Sequence, residues 1–314
     1  MTNLVKSTLA VAALVLGSLG SAQAGVLDLS GAVGKANVFS FTDFSAPYAT
    51  VQGAIMAGRD VTLTSYSVNQ NNQDAYGRYS LVVGGHLNFS NGTIFNGDVY
   101  AAGGVTYPSW GAPLSAGYST YSGTAPVNMT QLASSLTRTS AQLAAITPTS
   151  IATQTDNRII LTGTKSAVEV ISVDATMMNK ATDFVLSNFA TDATIIVNVV
   201  GNSATIQGGY QQFDNYNVLF NFVGATELKI GTGAAISILA PTASVLNGSG
   251  HIDGTVVVNS WDSGVTIKSG NAFAATNIAA LAVPEPGGYA MVLAGLGLIV
   301  FTGRRRQKPV VALR

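Results

Sequence analysis

Most of the chain is written in short apolar runs, rich in Val and Ile, separated by Gly, Asn and Ser. Examples are RIILTG (158–163), AVEVISV (167–173), ATIIVNVVG (193–201), YNVLFNF (216–222), AISILAP (235–241) and GTVVVNS (254–260). Runs this short, β-branched and bounded by turn residues predict strands rather than helices. Three segments also resemble one another. VQGAIMAG (51–58), FNGDVYAA (95–102) and IDGTVVVN (252–259) share the pattern apolar-x-Gly-x-Ile/Val-x-Ala/Val, and LVVGGHLNF (81–89) carries its second half. A Gly turn followed by an alternating strand cannot bury its apolar side alone and must stack on similar units. The expected fold is therefore all-β, a parallel right-handed β-helix or solenoid. An antiparallel sandwich also uses short strands between turns and is the competing architecture.

One stretch has a different period. In NMTQLASSLTRTSAQLAAI (128–146), Leu132, Leu136 and Leu143 fall near one face, Asn128 and Gln131 stand at N-cap and N3 spacing, and Pro148 stops the run. This predicts a single amphipathic helix, over about 128–146, packed on the sheet.

The two ends read as addresses. Lys6 precedes the apolar run STLAVAALVLGSLG, and Ala22-Gln23-Ala24 forms a small-x-small site before Gly25. This order of charge, apolar run and cleavage triplet is that of a signal peptide over residues 1–24. At the other end, Pro284-Glu285-Pro286 leads into an apolar stretch ending at Arg304, Arg305 and Arg306. The run from Tyr289 to Thr302 is shorter than the ~20 residues that span a bilayer comfortably, but tilt and snorkelling arginines allow it to insert. The arginines would then stay cytoplasmic, with 307–314 as a cytoplasmic tail and the body outside. Residues 283–306 resemble the PEP-CTERM sorting signal of Gram-negative bacteria. That resemblance implies an exosortase as processing partner, transient membrane anchoring through a transmembrane helix, and delivery to the cell surface or extracellular matrix.

The body between them, 25–282, carries a second resemblance. GAVGKANVFSFTDFSAPYATVQGAIMAGRDVTL (31–63), LVVGGHLNFSNGTIFNGDVYAAGGV (81–105), NVLFNFVGATELKI (217–230) and SILAPTASVLNGSGHIDGTVVVNS (237–260) are similar to the choice-of-anchor A family. The resemblance implies a secreted adhesive surface domain with a β-helical body, and it brings no catalytic residues.

Composition narrows the chemistry. Cys is absent, which excludes disulfides and thiolate metal sites, and only 10% of residues are charged. Without its two ends the body keeps nine Lys/Arg against 14 Asp/Glu, formally near −5. It has no basic cluster of the kind that phosphate backbones require, so nucleic acid is not an expected partner. His86 (GGHLNF) and His251 (GSGHIDG) share a Gly-His-apolar setting, which suggests equivalent turn positions in the repeat. His251 with Asp253 could open a metal site, but no further ligands stand nearby, so no metal and no cofactor are expected. Ser249, His251 and Asp253 are adjacent without a nucleophile elbow, which is no triad. A polysaccharide-active enzyme is the alternative reading. It requires carboxylates converging on one groove, whereas Asp43, Asp60, Asp98, Asp174 and Asp214 stand singly. Ice binding would use flat Thr rows, and the Thr62/Thr64 spacing does not recur in the other repeats. Two loops remain as candidates for holding a ligand. One is the polar insertion VNQNNQDAYGRY (68–79). The other is YPSWGAPLSAGYSTYSG (107–123), whose Tyr107, Trp110, Tyr118 and Tyr121 suit an extracellular polysaccharide or another surface ligand. The expected role is a non-catalytic adhesin or an exopolysaccharide-associated structural protein.

Overall fold

A computed structural model describes residues 24–282. The predicted signal peptide with Ala22, and the sorting segment with Pro284, Glu285, Pro286, Arg304, Arg305 and Arg306, lie outside the described residues. Ala24 and Gly25 open the first strand, Ala24–Leu27. The chain divides into two units, one of which, Val26–Ile278, holds every feature discussed below. Of the other, only Ala24, Gly25 and residues 279–282 are described.

The unit 26–278 is a curled parallel sheet built from three ladders. The first runs through Val168–Asp174, Thr194–Val200, Asn217–Val223, the start of Ser237–Leu246 and the start of Val256–Asp262. It continues through Val38–Ser40, Ile55–Ala57, Tyr79–Val83 and Asp98–Ala101 to Thr120–Tyr121. The second passes from Ser203–Ile206 through Glu227–Ile230, the ends of the two long strands, Phe44–Pro47, Val61–Thr64 and Leu87–Phe89 to Val105–Thr106. The third links Gly233–Ala234, His251–Asp253, Thr266–Lys268, Thr50–Val51, Tyr66–Val68 and Gly92–Ile94. Ile151–Thr155 pairs antiparallel with Arg158–Thr162, which pairs parallel with Asp183–Ser187.

The similar segments occupy matching places. Ile55, Leu81 and Val99 are successive partners in the first ladder, and Val256 joins the same column through Val38. Two of these corners, after Ile55–Ala57 and Tyr79–Val83, need glycine for close approach. A Cβ on Gly58 would stand 2.1 Å from the Phe41 carbonyl, and one on Gly84 would stand 2.3 Å from that of Gly58.

The first ladder is buried on both faces, which explains its unbroken apolar runs. Ile171, Val197, Phe220, Ile238, Val256, Val38, Ile55, Leu81 and Val99 point into the core. The next column, Asn198, Asn221, Leu239, Val257, Phe39, Met56 and Val82, faces the other way and is buried too. The helix Met129–Ala144 packs against this outer face, with Asn128 as its N-cap accepting from the Gln131 amide at 3.0 Å. Leu136, Ser140 and Leu143 are its buried residues. Apolar packing is reinforced by amides. Asn221 Nδ2 donates to the Ser140 carbonyl (3.0 Å) and to Asn198 Oδ1 (2.8 Å), and Asn198 Nδ2 donates to the Leu143 carbonyl (2.8 Å).

The order of strands is not the order of the chain. Val38–Ser40 lies in the middle of the first ladder, between Ile55–Ala57 and Val256–Asp262. From there the N-terminal half builds outward to Thr120–Tyr121. The helix then carries the chain back, and the C-terminal half builds from Val168–Asp174 toward the starting strand. The two halves meet at a seam in all three ladders: Val256–Val258 against Val38–Ser40, Trp261 against Phe44, and Ile267 against Val51. A polar clasp crosses it. Buried Asn37 donates to the Gly254 carbonyl (2.8 Å) and the Lys268 carbonyl (3.0 Å) and accepts from the Gly53 amide (3.2 Å).

At the far end of the C-terminal half, a buried carboxylate fixes the antiparallel hairpin. Glu169 accepts from Ser150 Oγ, from the Thr164 amide (2.7 Å) and from the Ser166 amide (3.0 Å). Burial alone would raise its pKa, but the hydrogen bonds from Ser150, Thr164 and Ser166 outweigh it and hold the carboxyl below its ordinary 4.5. A group with a depressed folded pKa stabilises above its unfolded value and loses that contribution as pH falls through the folded one. Thermal stability is therefore expected to decline as pH falls below 4.5, and Glu169→Gln should flatten this decline while lowering stability at neutral pH. Thermal melts of both proteins across that range check it.

Candidate ligand-binding site

The aromatic loop closes the free end of the N-terminal half, and its four rings take different positions. Tyr107 is half-buried against the core, and its hydroxyl meets Thr120 Oγ1 at 2.8 Å. Burial, partly offset by that hydrogen bond, raises its pKa. Tyr121 sits on the terminal strand with the Arg78 guanidinium 4.7 Å from its ring centroid. Arg78 also lies 5.2 Å from the Tyr79 ring and donates through Nε to Asp98 at 2.9 Å, so its charge is already engaged. Asp98 is nearly buried and also accepts from the Ser119 amide at 2.8 Å, which ties the loop's exit to the sheet.

Trp110 and Tyr118 are presented differently. Trp110 is 63% exposed and Tyr118 38%. Tyr107 thus holds the loop in place; Tyr121, itself 41% exposed, is engaged by Arg78, while Trp110 and Tyr118 offer ring faces to solvent. Sequence reasoning passed over Tyr48, a single ring at the corner after Phe44–Pro47, 79% exposed and held at φ 52°. A lone Tyr in SAPYAT gives no density signal, although its left-handed backbone marks a corner.

The second candidate loop, 68–79, is tied to the seam through Asn71 and Gln73. Asn71 Nδ2 reaches Gln52 Oε1 and Ser269 Oγ, both at 3.2 Å, and Gln73 Nε2 reaches the Ser269 carbonyl at 3.4 Å. It straps the C-terminal half to the N-terminal one.

Several titratable groups are spent on turns. Asp43 pairs with Arg59, Asp60 accepts from the His86 amide (2.8 Å), and Asp174 caps the Thr176 amide (2.7 Å). The two histidines are not equivalent, contrary to the expectation from their shared setting. His86 stands before a second-ladder strand with its ring against the Gly103 carbonyl and Thr106 Oγ1, whereas His251 starts a third-ladder strand between Gly233 and Thr266. Asp214 is not solitary either: it shares an open cleft with Asp192, Asn215 and Asn271, and no Lys or Arg lines it. Among the described residues no three His, Asp or Glu gather as a metal site, and no helix is long and apolar enough to cross a membrane. Thr62 and Thr64 face outward, but their partners toward the seam are Ser45 and Pro47, and the strand beyond places Asn88 beside Thr62.

The ice-binding-like adhesive domain family matches residues 29–269. The chain belongs to this family. The match spans all three ladders, the helix and the aromatic loop, and it ends one residue beyond the last third-ladder strand, Thr266–Lys268. A PEP-CTERM protein-sorting motif matches residues 282–306, starting at the final residue of the last described strand, Thr276–Ala282. No curated protein and no solved structure matches the chain. An adhesive domain joined to this sorting motif is the arrangement of an exported surface protein processed by an exosortase.

Proposed function

We propose that this chain is a non-catalytic adhesin of the cell surface or extracellular matrix, attached to extracellular polysaccharide through its aromatic loop. In this reading a signal peptide is removed before Gly25, and the C-terminal segment holds the protein transiently in the membrane until the exosortase acts near Pro284-Glu285-Pro286. The curled sheet is read as a parallel β-helix, supported by parallel pairing in all three ladders. Such a body is rigid because each layer rests on its neighbours. A rigid body carrying aromatic anchors and uncharged Ser, Thr and Asn can add many weak contacts along a repetitive polymer.

The observation that carries the reading is Trp110, a large ring left 63% exposed on a loop whose other supports are fixed. Indole faces stack on sugar rings and lose little conformational freedom in doing so. Replacing Trp110 and Tyr118 with Ala is expected to reduce attachment of the mature protein to native matrix by about tenfold or more, as for removal of interface hot spots. The melting temperature should stay unchanged because neither ring is buried. Undiminished attachment by the double variant contradicts the reading.

A further inference from the structure

A second polar recess lies at the seam, away from the aromatic loop. It has a volume of about 390 Å³, within the range of small-ligand pockets, and is lined by Ser30, Lys35, Asn72, Gln73, Asp74 and Thr255 among others. Its walls come from both halves of the chain: Ser30 to Asp74 from the N-terminal one, Thr255 from the C-terminal one.

Three features set it apart from an ordinary surface dent. First, among the described residues the side chains of Ser30, Lys35, Asn72 and Asp74 make no hydrogen bond or ion pair. Asp74 thus differs from Asp43, Asp98, Asp174, Asp253 and Glu169, which serve as caps or partners. Second, the backbone around the recess is held in the left-handed region at Lys35 (φ 68°), Asn72 (φ 54°) and Tyr76 (φ 53°). Bulky Lys and Tyr adopt it at a cost of about 1 kcal/mol or more each, and such outliers concentrate at ligand clamps. Third, the neighbouring side chains are fixed: Gln73 and Asn37 are tied across the seam, and the Tyr76 ring packs on Gly34 so closely that a Cβ there would meet it at 2.7 Å.

We infer that this recess binds a neutral sugar unit of a polysaccharide, with Lys35 and Asn72 donating to ring or hydroxyl oxygens and Asp74 accepting from hydroxyls. The chemistry points there because both charge signs are present, unpaired and balanced. A polyanion would face Asp74 and a polycation Lys35, whereas vicinal hydroxyls satisfy donor and acceptor together. No large apolar side chain lines the recess, which disfavours a hydrophobic ligand. The choice of polymer rests on the adhesive reading above, but the site is separate from Trp110. Because both halves form the walls, an occupant also holds the seam closed and stabilises the fold by mass action.

The test uses the mature chain with cellohexaose, maltohexaose, chitohexaose and hexagalacturonate as probes, read by calorimetry and thermal shift. At least one neutral probe is expected to bind and raise the melting temperature, and hexagalacturonate is expected not to bind. Asp74→Asn and Lys35→Met should each weaken binding by about tenfold, as for lost charge-assisted hydrogen bonds, with the unliganded melting temperature unchanged. The titrations are run in a Trp110→Ala, Tyr118→Ala background, which removes stacking at the aromatic loop from the signal, so that any binding read there belongs to the recess. The inference is overturned if no neutral probe binds, if hexagalacturonate binds more tightly, or if the Asp74→Asn, Lys35→Met double variant binds as the wild type does. Attachment to matrix that still depends on Trp110 would then show that only the recess has failed and the adhesive reading stands.

Discussion

Replacing Trp261 with Ala is expected to cost about 3–5 kcal/mol, the usual loss for a buried aromatic truncated to Ala. Trp261 is 1% exposed, pairs with Phe44 across the seam and stacks on it with centroids 5.8 Å apart and planes 8° from parallel. Its indole N–H donates to the Ser263 carbonyl at 3.0 Å. Phe44 in turn meets Tyr66 edge-on at 6.4 Å, so the cavity opens among rings that cannot collapse far. At about 2–4 °C per kcal/mol for a body of this size, the melting temperature should fall by roughly 6–20 °C. The chain has two Trp residues, which makes the variant easy to read. Trp261 supplies shielded, blue-shifted emission, and Trp110 supplies exposed emission. The variant should keep only the second, whereas Trp110→Ala should keep the first and stay within about 0.5 kcal/mol of wild-type stability.

The second large effect is expected at Asn37. Its amide satisfies groups from three segments, Gly53, Gly254 and Lys268, and is itself buried. Asn37→Ala leaves the Gly254 carbonyl and the Gly53 amide without this partner, at about 1–3 kcal/mol for each buried group, so a loss near 3 kcal/mol is expected. The Lys268 carbonyl retains the Gly254 amide at 3.1 Å and is less affected. Hydrogen exchange should show the loss concentrated at the seam, with the 194–200 and 217–223 ladder unchanged. Asn71→Ala, which removes an exposed part of the strap, should cost no more than about 0.5 kcal/mol.

Local structure was legible because it is written locally. The β-branched runs became strands, and the Gly-x-Ile/Val segments fell at matching corners because close approach excludes a Cβ there. The helix Met129–Ala144 followed from its apolar spacing and the Asn128 cap. The seam was not legible. Nothing in ANVFS distinguishes a mid-sheet strand from a terminal one, since pairing with Val256–Val258 depends on which edges remain unfilled once both halves exist. The strapping role of loop 68–79 was equally hidden: Asn71 and Gln73 look solvated until Ser269 is brought opposite them. At the aromatic loop the sequence showed ring density. Which rings are structural depends on Thr120 and Arg78, one of which lies far away in the chain. Ser30, Lys35, Asn72 and Asp74 gave no joint signal, because they meet only when the strap folds over the first turns of the body.

The fold turns on the two halves of the chain meeting in mid-sheet. Ser45 and Asp262 are direct partners there, 217 residues apart in sequence (262 − 45), on adjacent parallel strands whose ~4.8 Å spacing suits a disulfide. In a chain with no native Cys, Ser45→Cys with Asp262→Cys provides a direct measurement. On mild oxidation this pairing predicts a monomer with no free thiol, and the loss of two hydrogens by intact mass. Two free thiols, or disulfides formed only between molecules, would contradict it.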